Sequence, residues 1–165
     1  MDVLISDTSV VIDLERAELI ESVFALPYRF VVPEALVEKE IKDYGGERLR
    51  ALGLEIRVLT GEQVAEAQRL RALERRISIH DSFALSLAKS EAAILLAGDM
   101  AMRRVAEAQE VRCHGVLWVF DRLEEHKVVA AAALHTGLSR VVAHPRCWLP
   151  KDMVDLRMRR YSEGK

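Results

Sequence analysis

The sequence predicts an α/β fold built on a central parallel sheet of four to five strands. Two observations carry that expectation. Short apolar runs alternate with helical patterns along the chain, which is the rhythm of strand-helix-strand crossovers. The 165 residues, half of them apolar, are also enough for one compact domain with a sizeable core.

The first strand is expected at Val3-Leu4-Ile5. After it Val10, Val11, Leu14 and Ala17, then Leu19, Ile20, Val23 and Phe24, recur at helical spacing as far as Pro27. A second strand is read at Phe30-Val31-Val32. Pro33 suits a first helical turn, so Leu36, Val37, Glu40 and Ile41 share a helix face until Gly45-Gly46 breaks it. That face favours Glu40 over Glu38 as the inward acid. Ile56 to Leu59 reads as the third strand, and the stretch from Gly61 to Arg76 as a helix with Val64, Ala67, Leu70 and Leu73 in its apolar stripe. A helix from Asp81 then carries Ala84, Leu85, Leu87 and Ala88 to the strand Ile94-Leu95-Leu96-Ala97, and a weak fifth run surrounds Val111. Beyond it, Gly115 to Leu123 and Met153 to Tyr161 read as helices, the second with Arg157, Arg159 and Arg160 expected outside.

Composition excludes some classes of function. A net charge of −2 and a pI near 6.2 argue against a polybasic nucleic-acid binder, although local basic patches remain compatible with phosphate contacts. The start lacks a basic n-region, and no apolar run reaches the roughly 18 residues that span a bilayer. A cytoplasmic protein with no membrane partner is expected. Cys113 and Cys147 then read as reduced thiols, and neither Cys113-His114 nor His144 with Cys147 has the spacing of a structural zinc site.

Four acids stand where an apolar strand or helix face ends: Asp7, Glu40, Asp81 and Asp99. In parallel sheets ligands collect beyond the carboxyl ends of the strands. Asp7 and Asp99 therefore meet in one crevice if strand order reverses between their strands. Gathered carboxylates repel unless a cation neutralises them. All-oxygen ligation suits Mg²⁺ or Mn²⁺, which can activate water against a phosphodiester. Singly, Asp7, Asp81 and Asp99 each have an ordinary reading as helix caps. His80 is more simply a solvated loop residue than a proton donor. A phosphoacceptor domain would want a lysine after a late strand, and none occurs between Lys89 and Lys127.

The segments around these acids are Ile5-Ser6-Asp7-Thr8-Ser9, Val32-Pro33 leading to Glu40-Ile41, Ser78-Ile79-His80-Asp81-Ser82 leading to Ala84-Leu85-Ser86-Leu87-Ala88, and Leu95-Leu96-Ala97-Gly98-Asp99. In that order they resemble the PIN-domain family, most closely the VapC-like ribonucleases that act as toxins in toxin–antitoxin pairs. The resemblance covers about the first 125 residues, and residues 126–165 are read as a helical extension packed on the same domain. It implies a three-layer α/β/α fold and the quartet Asp7, Glu40, Asp81 and Asp99 as metal-binding catalytic acids, with Thr8 or Ser9 in support. It also implies an RNA substrate, frequent homodimerisation, and often an antitoxin whose tail plugs the site. Two departures stand out: Ala97 where relatives often have Thr, and no further acid among Met100 to Met102. They motivate the alternative of a catalytically silent scaffold that binds RNA or a protein partner. For Arg69, Arg71, Arg75 and Arg76, guiding RNA phosphates and pairing with Glu62, Glu66 and Glu74 are both open. Likewise Leu36, Val37 and Ile41, or Val10-Val11, read either as core or as a groove for an antitoxin helix.

Overall fold

The computed structural model describes residues 1–38 and 42–164, without the side chain of residue 44. Five strands form one sheet: β1 (Asp2–Ser6), β2 (Tyr28–Pro33), β3 (Glu55–Arg57), β4 (Ile94–Leu96) and β5 (Cys113–His114). They run parallel in the order β3-β2-β1-β4-β5. Strand order therefore reverses between β1 and β4, as the placement of Asp7 and Asp99 requires.

Strand side chains alternate, and each set finds its own helical layer. Leu4, Phe30, Val32, Ile94 and Leu96 face one way, packing with Val10 and Leu14 of α1 (Thr8–Arg16), Leu36 of α2 (Glu34–Leu36) and Leu49 of α3 (Gly46–Leu52). The same core takes Phe120 of α7 (Val116–Glu125), Leu134 of α8 (Ala131–Ala143) and Tyr161 of α9 (Lys151–Glu163). Ile5, Val31 and Leu95 face the other way, against Leu70 of α4 (Gly61–Leu73), Leu85 of α5 (Ile79–Ser90) and Met102 of α6 (Met100–Ala108). The result is a three-layer α/β/α fold. Leu4, Ile5 and Leu95 have no solvent exposure, and burying such a side chain contributes about 2 kcal/mol.

Several boundaries differ from the sequence expectation. The first helix stops at Arg16 rather than near Pro27, because Glu18 turns the chain through a left-handed φ of 57°. Ile20 and Val23 still reach the core, through a short 3₁₀ turn at Ser22–Ala25. Val10, Val11 and Leu36 are core residues, at most 4% exposed, so they offer no open groove. Gly45-Gly46 is not only a break: Gly45 takes a φ of 82° and Gly46 begins α3. Helix α8, not anticipated, packs next to α9 and on α1.

Arg157 was expected outside and is buried. Its guanidinium donates to both carboxylate oxygens of Asp121 on α7, at 2.8 and 2.6 Å, and to the Met153 carbonyl at 3.0 Å. The pair ties the last helix to α7. Both sheet margins are short: β3 carries the Arg29–Glu55 and Arg57–Glu91 pairs, and on β5 the His114 ring stacks on Trp118 at 4.6 Å. Among the described residues no helix is long and apolar enough to cross a membrane.

Candidate functional site

The chain leaves β1 through α1 on one face of the sheet and β4 through α6 on the other, opening a crevice between their carboxyl ends, and Asp7 is the first residue beyond β1. Its backbone N–H donates to the Leu96 carbonyl at 2.9 Å, so the acid is still held by the sheet. Its side chain is 2% exposed. Oδ1 accepts from the Ser9 hydroxyl at 2.8 Å and from the Val10 N–H at 3.1 Å, which caps α1, while Oδ2 accepts from the Gly98 N–H at 3.3 Å. Burial nevertheless pushes its carboxyl up to about 7, with the negative charge of Asp81 adding to the rise and the three hydrogen bonds opposing it. Gly98 is needed at this contact, since a Cβ there would lie 2.8 Å from the Ser9 hydroxyl and displace it from Asp7.

Asp81 is half-buried in the first turn of α5, which begins at Ile79 and not at Asp81 itself. Ser78 caps the helix through the Asp81 N–H at 3.0 Å, and the Asp81 carboxylate accepts the Ser78 N–H in return at 3.3 Å. Asp81 is thus held by a capping box while its charge reaches Asp7. Asp99 is exposed and caps α6, accepting the Ala101 N–H at 2.6 Å. It lines a cavity of about 320 Å³ shared with Ser9, Gly98 and Arg103. Glu40 lies outside the described residues.

A buried carboxylate coupled to a second acid is an unfavourable arrangement that a cation would relieve, and oxygen-only donors fit a hard divalent ion such as Mg²⁺ or Mn²⁺. Among the described residues, however, no three His, Cys, Asp or Glu side chains gather closely enough to hold a metal. The fold brings the charges of Asp7 and Asp81 within reach of each other, and the three described acids do not form a closed cluster.

The basic residues divide into two groups. Arg69 is bound to Glu66 at 2.8 and 2.7 Å and Arg76 to Glu74 at 2.9 and 2.7 Å, as a solvated, paired helix face would be. Arg71 and Arg75 have no ion-pair partner among the described residues and line a cavity of about 390 Å³ with Gln68 and Ile79. The Cys113 thiol is pushed up to about 11 by burial, which makes it a poor nucleophile. Sequence reasoning passed over Arg146 and Trp148, which line the Asp99 cavity from the loop between α8 and α9. The only sequence signal there was an aromatic between turn residues.

Comparison with known families agrees with this architecture. A family model described as a PIN domain matches residues 3–163. The chain belongs to the PIN-domain family. The PIN-domain match runs past residue 125, through α8 and α9. No curated protein matches the chain. PIN domains are generally nucleases, so the fold is of nuclease type.

Proposed function

We propose that this PIN domain is a metal-dependent endoribonuclease that hydrolyses RNA phosphodiester bonds, and that it is the VapC-like toxin of a type II toxin–antitoxin pair acting in the cytoplasm. One observation carries the nuclease reading: a buried acid, Asp7, stands at the reversal of strand order within electrostatic reach of Asp81, and Asp99 follows the neighbouring strand. Asp7, Asp81 and Asp99, completed by Glu40, would hold Mg²⁺ or Mn²⁺. When bound, such an ion supplies an activated water and offsets charge on a phosphodiester oxygen.

The chain's own residues prepare that site. The Ser9 hydroxyl and the Val10 and Gly98 N–H groups fix both oxygens of Asp7, so no side-chain rotation is needed to present it. The capping box holds Asp81 in the first turn of α5. Replacing Asp7 or Asp99 by Asn should lower Mn²⁺-dependent cleavage of single-stranded RNA by about a thousandfold or more, with folding retained by circular dichroism. Cleavage at the wild-type rate in both variants would reject the assignment. Growth arrest on induction, relieved by the protein of a neighbouring gene, tests the toxin role. A homodimer and an antitoxin are the partners this role implies.

A second reading, a silent scaffold that binds RNA or a protein, is favoured by Ala97 and by the lack of a further acid among Met100 to Met102. Calorimetry separates the two. The nuclease takes up Mn²⁺ in a manner that Asp7→Asn abolishes, and the scaffold takes up none.

A further inference from the structure

The loop between α8 and α9 turns a tryptophan outward beside the candidate site. Trp148 is 90% exposed, whereas Cys147 and Leu149 on either side pack against the core. The loop is braced internally: the Cys147 N–H donates to the His144 carbonyl at 3.0 Å and the Arg146 N–H to His144 Nδ1 at 3.1 Å. The indole therefore projects from a pinned backbone. A lone exposed apolar side chain is ordinary, but Trp148 shares the lining of the 320 Å³ cavity with Asp99, Arg103 and Arg146.

The two guanidinium groups differ in how they are held. Arg103 Nε donates to the Ala97 carbonyl at 3.2 Å, and its head occupies the space left by the missing side chain of Gly115. It is fixed at the end of β4. Arg146 has no ion-pair partner among the described residues, while Arg16, also at this cavity, is engaged by Asp13 at 3.4 Å. An exposed ring, one fixed and one uncommitted cation, and an acid expected to act on phosphodiesters lie along one cleft.

We propose that Trp148 is a stacking platform for one base of a single-stranded RNA, with Arg103 and Arg146 holding the adjoining phosphates as the strand passes Asp99. The proposal deepens the nuclease reading and rests on it. An indole face accepts any base at useful strength, but a base in a duplex is already stacked on its neighbours. The cations bind the backbone without reading sequence and offset the repulsion between Asp99 and an approaching phosphate. Among the charged groups at the cleft the arginines Arg16, Arg103 and Arg146 outnumber the acids Asp13 and Asp99, which favours a polyanionic strand.

The test is fluorescence anisotropy with a labelled single-stranded RNA of about 12 nucleotides, titrated with the full chain in EDTA so that binding is read without cleavage. Trp148→Ala should weaken binding about tenfold or more and Trp148→Phe less than about threefold. Arg146→Ala should weaken binding and reduce the slope of log K against log salt by about one. Wild-type affinity in Trp148→Ala overturns the platform and leaves the indole to a polypeptide partner. An equal loss on a duplex of the same sequence overturns it too. Cleavage with Mn²⁺ is scored separately. A wild type that binds through Trp148 but does not cut defeats the nuclease reading alone, and a Trp148→Ala variant that cuts limiting RNA as fast as the wild type defeats the platform alone.

Discussion

Two buried charges in this molecule are treated in opposite ways. Arg157, on the last helix, meets Asp121 in a two-point pair and adds a backbone carbonyl, so its charge is matched where it is desolvated. Asp7, at the end of β1, is as deeply buried but its carboxylate accepts only from N–H and hydroxyl dipoles, and the charge that acts on it is that of another acid, Asp81. A scaffold charge comes with its partner already in place. A charge left to dipoles is what the proposed site asks for, and on that reading the contrast separates site from frame.

The largest test of the contrast is pH. The folded Asp7 carboxyl keeps its proton up to about pH 7, whereas an unfolded aspartate releases it near its ordinary value of 3.8. Between those values the native state binds more protons, so stability falls as pH rises through that window and levels off above it. The fall for the metal-free protein should be on the order of 4 kcal/mol, read by urea denaturation at successive pH values. Asp7→Asn should flatten that segment of the profile. An unchanged slope in the variant would mean that another group is responsible.

A smaller effect of opposite sign is expected at the matched pair. Arg157→Ala should cost about 2 kcal/mol, because it strands a partly buried Asp121 whose remaining partner, Arg160, is more exposed. Thermal melts at neutral pH would show the loss, while Asp7→Asn in the same metal-free buffer should gain stability. If both variants lost stability alike, the distinction between frame and site would collapse. The smallest effect concerns Tyr161, whose hydroxyl is buried without a hydrogen-bond partner among the described residues. Tyr161→Phe should be neutral or stabilising by up to about 1 kcal/mol in the same melts, and a clear loss would show that the hydroxyl is satisfied after all.

The sheet and its two faces were legible because strand alternation repeats in Leu4-Ile5, Val31-Val32 and Leu95-Leu96, and each side chain is decided by its immediate neighbours. The positions of Asp7 and Asp99 were legible for a similar reason: Asp7 directly follows β1, and Asp99 is separated from the end of β4 only by Ala97 and Gly98. What escaped depended on distant partners. Arg157 sits at helical spacing from Val154 and Tyr161, on the inward face, but nothing local says that Asp121 waits 36 residues earlier. Helix α8 carries Leu134, Leu138 and Val141 at helical spacing, yet Gly137 interrupts the pattern where the helix presses close on Leu19. The Ser78 and Asp81 capping box was readable, and it moves the start of α5 ahead of the acid. Glu40 was singled out by its helix face and lies outside the described residues.

The blunt margins of the sheet bear on how the molecule tolerates its buried acid. An aspartate that loses its proton in the core above about pH 7 weakens the native state, and partly open parallel sheets are prone to recruit strands from other copies. Here the outermost ladders are two and three residues long, one shielded by an imidazole–indole stack and the other studded with paired charges. A molecule weakened at its buried acid can therefore persist as dispersed copies instead of seeding fibrils.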